Sequence, residues 1–414
     1  MTTDNTSQIL WSKYTSALAA LMGAGGTEAS LQVLPMPSMV YGNSGADMTT
    51  ALSIFASQIP AWGAIYQPSA SRVIDAYQIV LTQVKETATN GKSYEAEYEK
   101  ENTKLADMMG KASAFKVASI SNWTTAMNAY TKAGLPTQSF TDWFVTNGAQ
   151  EYNTLLAAQT QQTKKVSDLL KAEGVASPVV EALARLNDEI DAAAKLPAPT
   201  VTANPSADML FNWKTKPTNP GGFSFDSKSS TYDYTKTTWQ SQTGVKLFGF
   251  ISIGSRTETH TQENIFTTTS DYSMDLKFGS QATVSLLQGS WFDAALLVDY
   301  KNGPWIKNSQ FDKGLAHPYG QDGVLPLVVT SAYVVMNPTI TVTLSKTEFT
   351  SFYETMSGSF ASGVNLGPFA FGGSASQGTS NICKNSALKD TQSFTLSDTS
   401  NIPQIIAVSN QIMP

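Results

Sequence analysis

The chain has 414 residues, a net charge of −6 and one cysteine, Cys383. Charged residues make up only 14% of it, against roughly 25% in ordinary soluble domains, so uncharged polar residues fill much of the surface. The chain has no Lys/Arg cluster, which excludes nucleic acid as a partner because phosphate binding needs concentrated positive charge. The single cysteine excludes an internal disulfide, and we expect it to be a small buried side chain, with a nucleophile as the alternative.

The first 196 residues show helical periodicity. Apolar residues recur at helical spacing in several segments, among them 73–84, and the longest are about 93–133 and 141–173. Helices of that length would reach roughly 45–60 Å at 1.5 Å per residue. Ser177-Pro178 predicts the start of a further helix, because serine caps helices and proline is tolerated in the first turn. Residues 1–196 are therefore predicted to form an elongated helical bundle with a long helical hairpin.

A proline-rich stretch, 197–222, separates this part from a region of β character and is predicted to be an interdomain linker. In 223–414, short runs of Thr, Val, Ile and Phe alternate with Gly and Pro, which predicts an antiparallel β-sandwich. Leu325–Met336 is apolar enough for a central strand, and Asn337-Pro338 predicts a turn into Thr339–Leu344. In that second strand apolar residues alternate with threonines, which predicts one buried and one wet face. The predicted fold class is thus α+β with two domains, an N-terminal elongated all-α helical bundle followed by a C-terminal all-β antiparallel sandwich.

Two segments of the β region resemble each other. Residues 244–255 align without a gap on 363–374, with Gly, Val, Leu, Phe, Gly and Ser in common. This similarity predicts a repeated strand-turn-strand unit in the second domain. Residues 256–262 carry Thr at every second position and no apolar face, which predicts an exposed edge or a projecting hairpin.

The amino terminus is polar and lacks the basic and apolar order of a secretory signal. No apolar run approaches the roughly 18 residues of a spanning helix. We therefore expect a protein made soluble in the cytoplasm without a signal peptide, with release to the extracellular space by a non-classical route as the alternative. Contact with a membrane would then take place without a transmembrane helix.

The candidate ligand-binding segment is 289–323, which has no clear periodicity but is rich in aromatic and acidic residues. Long loops of this composition are typical binding loops, because aromatic faces stack on sugar rings while carboxylates bond to hydroxyls. The alternative is that the aromatic side chains close one end of a core. The predicted ligand-binding residues are Trp291, Asp293, Asp299, Tyr300, Trp305, Asp312, Tyr319 and Asp322.

The chain contains neither a diagnostic catalytic motif nor a phosphate loop, and it has only two histidines. His260 and Glu263 offer two metal ligands, which do not make a site. We therefore predict that the protein is not an enzyme and has no catalytic residues, metal or cofactor, with a glycan-active enzyme kept as an alternative.

The predicted function is that of a non-enzymatic, surface-acting protein that binds a ligand or self-assembles. The ligand would be a protein, a glycan or a lipid surface. The alternative is a soluble pore-forming toxin that oligomerises and rearranges a hairpin at a membrane. A glycan-binding or glycan-active protein is the third hypothesis, since paired carboxylates can hydrolyse glycosides.

Overall fold

The computed structural model describes residues 5–22, 29–40, 42–86, 146–172, 177–193, 201–229, 250–253, 271–307, 309–372, 380–385 and 391–414, together with scattered helical residues between 96 and 143. The helices are α1 (Asn5–Met22), α2 (Gly45–Ala56), α3 (Val73–Gln83), α4 (Ala149–Ala172), α5 (Pro178–Ala193), α6 (Ala207–Trp213), α7 (Ala294–Asp299) and α8 (Lys346–Ser359). The strands are β1 (Ala29–Met39), β2 (Gln58–Pro60), β3 (Pro68–Arg72), β4 (Val201–Asn204), β5 (Gly221–Asp226), β6 (Ile251–Ile253), β7 (Tyr272–Gln288), β8 (Leu327–Ser345), β9 (Val364–Leu366), β10 (Phe369–Phe371), β11 (Ser380–Lys384), β12 (Thr391–Asp398) and β13 (Gln404–Ile412). The predicted run 256–262 and most of the predicted helix 93–133 lie outside the described residues.

Helices and strands are interspersed in both halves of the described chain, so the predicted all-α bundle followed by an all-β sandwich is wrong. β1, near the amino terminus, pairs antiparallel with β13 at the carboxyl end, with Leu31 opposite Ser409. Both strands belong to an eight-stranded sheet with β4, β5, β7, β8, β11 and β12. Leu31 and Val33 are buried in the same apolar cluster as side chains of β7 and β8. Pairing with β13, together with burial of these two residues, therefore makes a strand of this segment between two helices.

The helices of the first half pack against the second half of the chain instead of standing as a free bundle. Tyr77 of α3 lies with its ring 6.1 Å from that of Trp291 and 5.0 Å from that of Phe292. The start of α5 is as predicted, since the Val180 N–H donates to the Ser177 hydroxyl at 3.2 Å. The segment 197–222 contributes β4, which pairs with β7, and α6.

β7 and β8 are long strands, of 17 and 19 residues, that pair with each other along most of their length. Where Gly279 and Asn337 face each other the ladder is interrupted, and Asn337 has a φ of 52°. The predicted turn at Asn337-Pro338 is therefore a kink within one strand. Before the kink, the odd-numbered Tyr333 and Val335 belong to the same apolar cluster as the even-numbered residues of β8 beyond it. β7 and β8 keep the same register on both sides of the kink, so the two strands turn over together.

The first half of β8 is covered on both faces. Val334 and Met336 pack with residues of α2 and α6, which form a layer on one side. Tyr333 and Val335 face the opposite cluster. This double coverage explains why Val328–Met336 is almost continuously buried and apolar.

Beyond the kink, one face of the sheet is covered by α1, α8 and a small three-stranded sheet, so this cover is mostly helical and not the second sheet of a sandwich. In the small sheet, β9 lies between β10 and β6, and both Ile251 and Phe369 pair with Leu366. The two similar segments therefore meet in one sheet, although residues 244–249 of the first copy lie outside the described residues. Phe250 is buried beneath α1, with its ring 5.1 Å from that of Trp11.

Candidate functional site

The structure places part of the predicted ligand-binding segment in the core. Trp291 is 1% exposed and Tyr319 is 7% exposed, and both pack in an apolar cluster with side chains of α3, α4 and α5. Burial raises the pKa of the Tyr319 hydroxyl. Trp305 and Tyr300 are partly buried against the same cluster. These aromatic side chains thus attach the segment to the helices.

The predicted acidic residues differ in their surroundings. Asp293 caps α7, because its carboxylate accepts from the N–H groups of Ala295 at 3.0 Å and Leu296 at 3.2 Å. Its other oxygen lies 4.0 Å from the Arg185 guanidinium. Asp299, Asp312 and Asp322 are exposed. Asp293 therefore has a structural role at the start of α7, and ligand binding by the predicted residues stays a prediction.

A different surface stands out on the large sheet beyond the kink. Opposed residues of an antiparallel pair lie on the same face, so the strand register shows which side chains share it. Thr341 pairs with Asp275 on one side and with Thr395 on the other, and Ser224 pairs with Asp275. The rows on either side continue the pattern. We call this surface the hydroxyl face; its members are Ser224, Ser273, Thr339, Thr341, Thr343, Ser393, Thr395 and Ser397.

Hydrogen bonds between side chains fix the orientation of hydroxyls on this face. The Thr341 and Thr395 hydroxyls lie 3.0 Å apart. The Asn385 side-chain amide donates to the Ser393 hydroxyl at 3.0 Å and to the Thr395 hydroxyl at 2.9 Å. Every member of the hydroxyl face is partly or fully exposed. The surface is therefore both ordered and accessible in the described part of the chain.

The charges on this face offset each other. The Lys277 ammonium lies 3.3 Å from the Asp275 carboxylate, and both side chains are largely exposed. Asp226, at the end of β5, accepts from the Ser229 hydroxyl and from the N–H groups of Lys228 and Ser229. The Ser229 hydroxyl is the largest cause of a lowered Asp226 pKa. The face therefore presents neutral hydroxyls beside a paired acid and base, without a strong field.

The opposite face of the same strands is apolar throughout. Met274, Val342 and Phe394 are opposed across three strands and are at most 1% exposed. The Phe394 ring lies 6.3 Å from that of Phe349 on α8. Residues 339–344 thus alternate between a buried face and an open one, as their sequence predicts. The alternation in 339–344 predicts this wet face but not that it extends over four strands.

A second polar feature lies inside the helical layer. The Glu101 carboxylate accepts from the Gln162 amide at 2.9 Å and contacts the ammonium groups of Lys104 at 2.6 Å and Lys165 at 2.9 Å. These hydrogen bonds, that of Gln162 first, lower the Glu101 pKa to about 2. Next to it, a shallow surface depression of about 450 Å³ is lined by Gln161, Lys164, Lys165, Asp168, Leu169 and Ala172. Lys165, which lines this depression, is thus already paired with Glu101.

The remaining candidates offer no assembled chemistry. Among the described residues, no three His, Cys, Asp or Glu side chains are placed to hold a metal ion. His260 and Glu263 lie outside those residues. Cys383 is exposed on β11, so the prediction that it is buried is wrong.

The chain was compared with known proteins at three levels. No family model, no curated protein and no solved structure matches it. Within the described residues, none of the helices combines the length and the apolar character needed to cross a membrane.

Proposed function

We propose that this protein is a non-enzymatic binding protein that holds a hydroxylated polymer, a polysaccharide, on the hydroxyl face. One observation carries the proposal. β8, in the middle of the sheet, is covered on both faces before the kink, whereas beyond the kink it is covered only on its apolar face. The face left open in the described part of the chain carries an ordered array of hydroxyl groups.

The chemistry of the array suits a sugar polymer. Serine and threonine hydroxyls donate and accept hydrogen bonds, as sugar hydroxyls do. Neighbouring hydroxyls repeat at about 4.8 Å between strands and about 6.7 Å along a strand, so a chain of repeating hydroxyls can meet several of them at once. Hydrogen bonds within the face, such as that between Thr341 and Thr395, hold the groups in place before a ligand arrives.

The strength of each contact favours a long ligand over a single sugar. A hydrogen bond exchanged with water contributes only about 0.5–1.5 kcal/mol. A monosaccharide would therefore bind weakly, while a polymer that makes many contacts gains from multivalency. The Asp275–Lys277 pair contributes local polarity without favouring a charged polymer.

The test is co-sedimentation of the intact protein with insoluble cellulose, chitin and β-glucan. We expect retention on at least one of them and no competition by the matching monosaccharide. The double variant T341V/T395V should weaken retention about 5- to 150-fold, because it removes two hydroxyls each worth about 0.5–1.5 kcal/mol. The matched control is T283V, an exposed threonine of β7 on the other side of the kink. Equal loss in both variants, or no retention on any polymer, would refute the proposal.

A further inference from the structure

One edge of the eight-stranded sheet has no strand beside it in the described part of the chain. β11 pairs with β12 on one side, with Ile382 opposite Leu396, and it ends the sheet order. The edge at β1 is occupied at Val33, because the Val33 N–H donates to the Ala64 carbonyl at 3.0 Å and the Tyr66 N–H donates to the Val33 carbonyl at 2.9 Å. An open edge is a template for another strand.

The backbone groups that point away from β12 can be identified. The Asn385 N–H donates to the Ser393 carbonyl at 2.9 Å, so Asn385 directs its backbone groups toward β12. This direction alternates along an antiparallel strand. Asn381 and Cys383 therefore also face β12 with their backbone, while Ser380, Ile382 and Lys384 direct their N–H and C=O groups outward.

We propose that a second copy of this chain pairs with β11 across a two-fold axis through Ile382. In this register Ile382 faces itself, and Ser380 faces Lys384 of the second copy. All three residues with outward backbone groups then form hydrogen-bonded pairs, so each of their N–H and C=O groups has a partner in the second copy. The arrangement is the isologous contact of a symmetric dimer, and it joins the two hydroxyl faces into one.

The charges on β11 are compatible with this occupant. Lys384 is the charged residue of the strand, and its ammonium lies over the rings of Phe349 at 5.4 Å and Tyr353 at 5.6 Å on the apolar side. It is therefore turned away from the edge, where lysines often block pairing. Its neighbour in the second copy would be the uncharged Ser380, so the register brings no like charges together.

Strand direction favours the symmetric dimer over a head-to-tail chain. β5, at the other end of this half of the sheet, runs in the same direction as β11, since each neighbouring pair between them is antiparallel. A contact between β11 and β5 of the next copy would be parallel, which is the less stable pairing. Two short strands alone bury less than the roughly 1,200–2,000 Å² of a stable complex, so the dimer should be reversible.

Cysteine geometry provides the test. In the proposed register residue 381 faces residue 383 of the second copy, with Cα atoms about 4.5 Å apart. The two Cys383 residues are diagonal neighbours at about 7–8 Å, which is too far for a disulfide. N381C should therefore form disulfide-linked dimers on mild oxidation, while the wild-type protein and N381C/C383S should stay monomeric on a non-reducing gel. All three keep a cysteine on the same strand.

Sedimentation of the unmodified protein is the second measurement, because it does not depend on any variant. We expect a monomer–dimer equilibrium as concentration rises from about 1 μM to about 1 mM, the range of weak reversible complexes. I382P should remove it while keeping the fold, since a proline is tolerated where the N–H points away from the sheet. A monomer throughout this range, or equal cross-linking of N381C and N381C/C383S, would overturn the proposal.

Discussion

Thr341 and Val342 are neighbours on β8 and have side chains of nearly the same shape, yet they lie on opposite faces of the sheet. Val342 is 0% exposed and lies between Met274 and Phe394 on the flanking strands. Thr341 is partly exposed on the hydroxyl face. Replacing a methyl by a hydroxyl at Val342, and a hydroxyl by a methyl at Thr341, therefore measures how much each face depends on its apolar or polar group for stability.

V342T places a hydroxyl among apolar side chains, where an unpaired polar group costs about 1–3 kcal/mol. T341V loses one hydrogen bond, to Thr395, but keeps its exposure and gains a β-branched apolar side chain suited to strands. We expect its effect to stay within about 0.5 kcal/mol, as for most surface substitutions. The difference between the two variants should thus be about 1–3 kcal/mol.

Equilibrium unfolding in urea measures both changes as shifts in the transition midpoint, provided that the slope is unchanged. The expected result is a clearly lower midpoint for V342T and a near-native midpoint for T341V. Equal destabilisation by the two variants would refute the reasoning, because it would mean that Thr341 is packed as tightly as Val342 and that the hydroxyl face is not open.

Three further predictions concern other parts of the molecule. Because the folded-state pKa of Glu101 is lowered to about 2, its stabilising effect is complete above the ordinary range near 4.5 and is lost as pH falls toward 2. The difference in unfolding free energy between wild type and E101Q should therefore shrink from pH 7 to pH 3; a constant difference would contradict this. G367A should destabilise the protein by about 1–3 kcal/mol, since Gly367 has a φ of 55° and a Cβ would lie 3.0 Å from the Phe250 ring. The control G358A, which meets nothing within 4 Å in α8, should instead be neutral or stabilising in the same urea assay. Finally, the intact chain should release no dye from liposomes, because the apolar face of the sheet beyond the kink is covered by α1, α8 and the small sheet; leakage with a ring-sized oligomer would favour a pore-forming toxin.

Local patterns predicted several elements well. The periodicity over 73–84 predicted α3, and Ser177-Pro178 predicted the start of α5. The alternation at 339–344 predicted one buried and one wet face. Each of these features depends on residues that are close in sequence, so the spacing of apolar and polar residues is enough to predict it.

The errors arose where a distant partner decides the structure. β1 becomes a strand because β13 lies beside it in space, although the two are near opposite ends of the sequence. Nothing in residues 29–39 indicates that partner. α8 was missed because its Ser and Thr residues resemble strand composition, although Phe349, Phe352 and Met356 follow helical spacing and are buried.

The candidate site shows the same limit. The aromatic residues of 289–323 indicated a binding loop, but α3 and α5 cover Trp291 and Tyr319. The hydroxyl face could not be predicted as a unit, because its rows combine residues from β5, β7, β8 and β12 whose register only the fold provides.

The most direct test of the hydroxyl face is to block it. In a C383S background, a bulky maleimide is attached either to S397C, on the hydroxyl face, or to D322C, in the segment 289–323, and retention on the polysaccharide is measured. We predict that the label at position 397 abolishes retention and that the label at 322 leaves it unchanged. Retention lost only with the label at 322 would contradict the account and return the binding site to that segment.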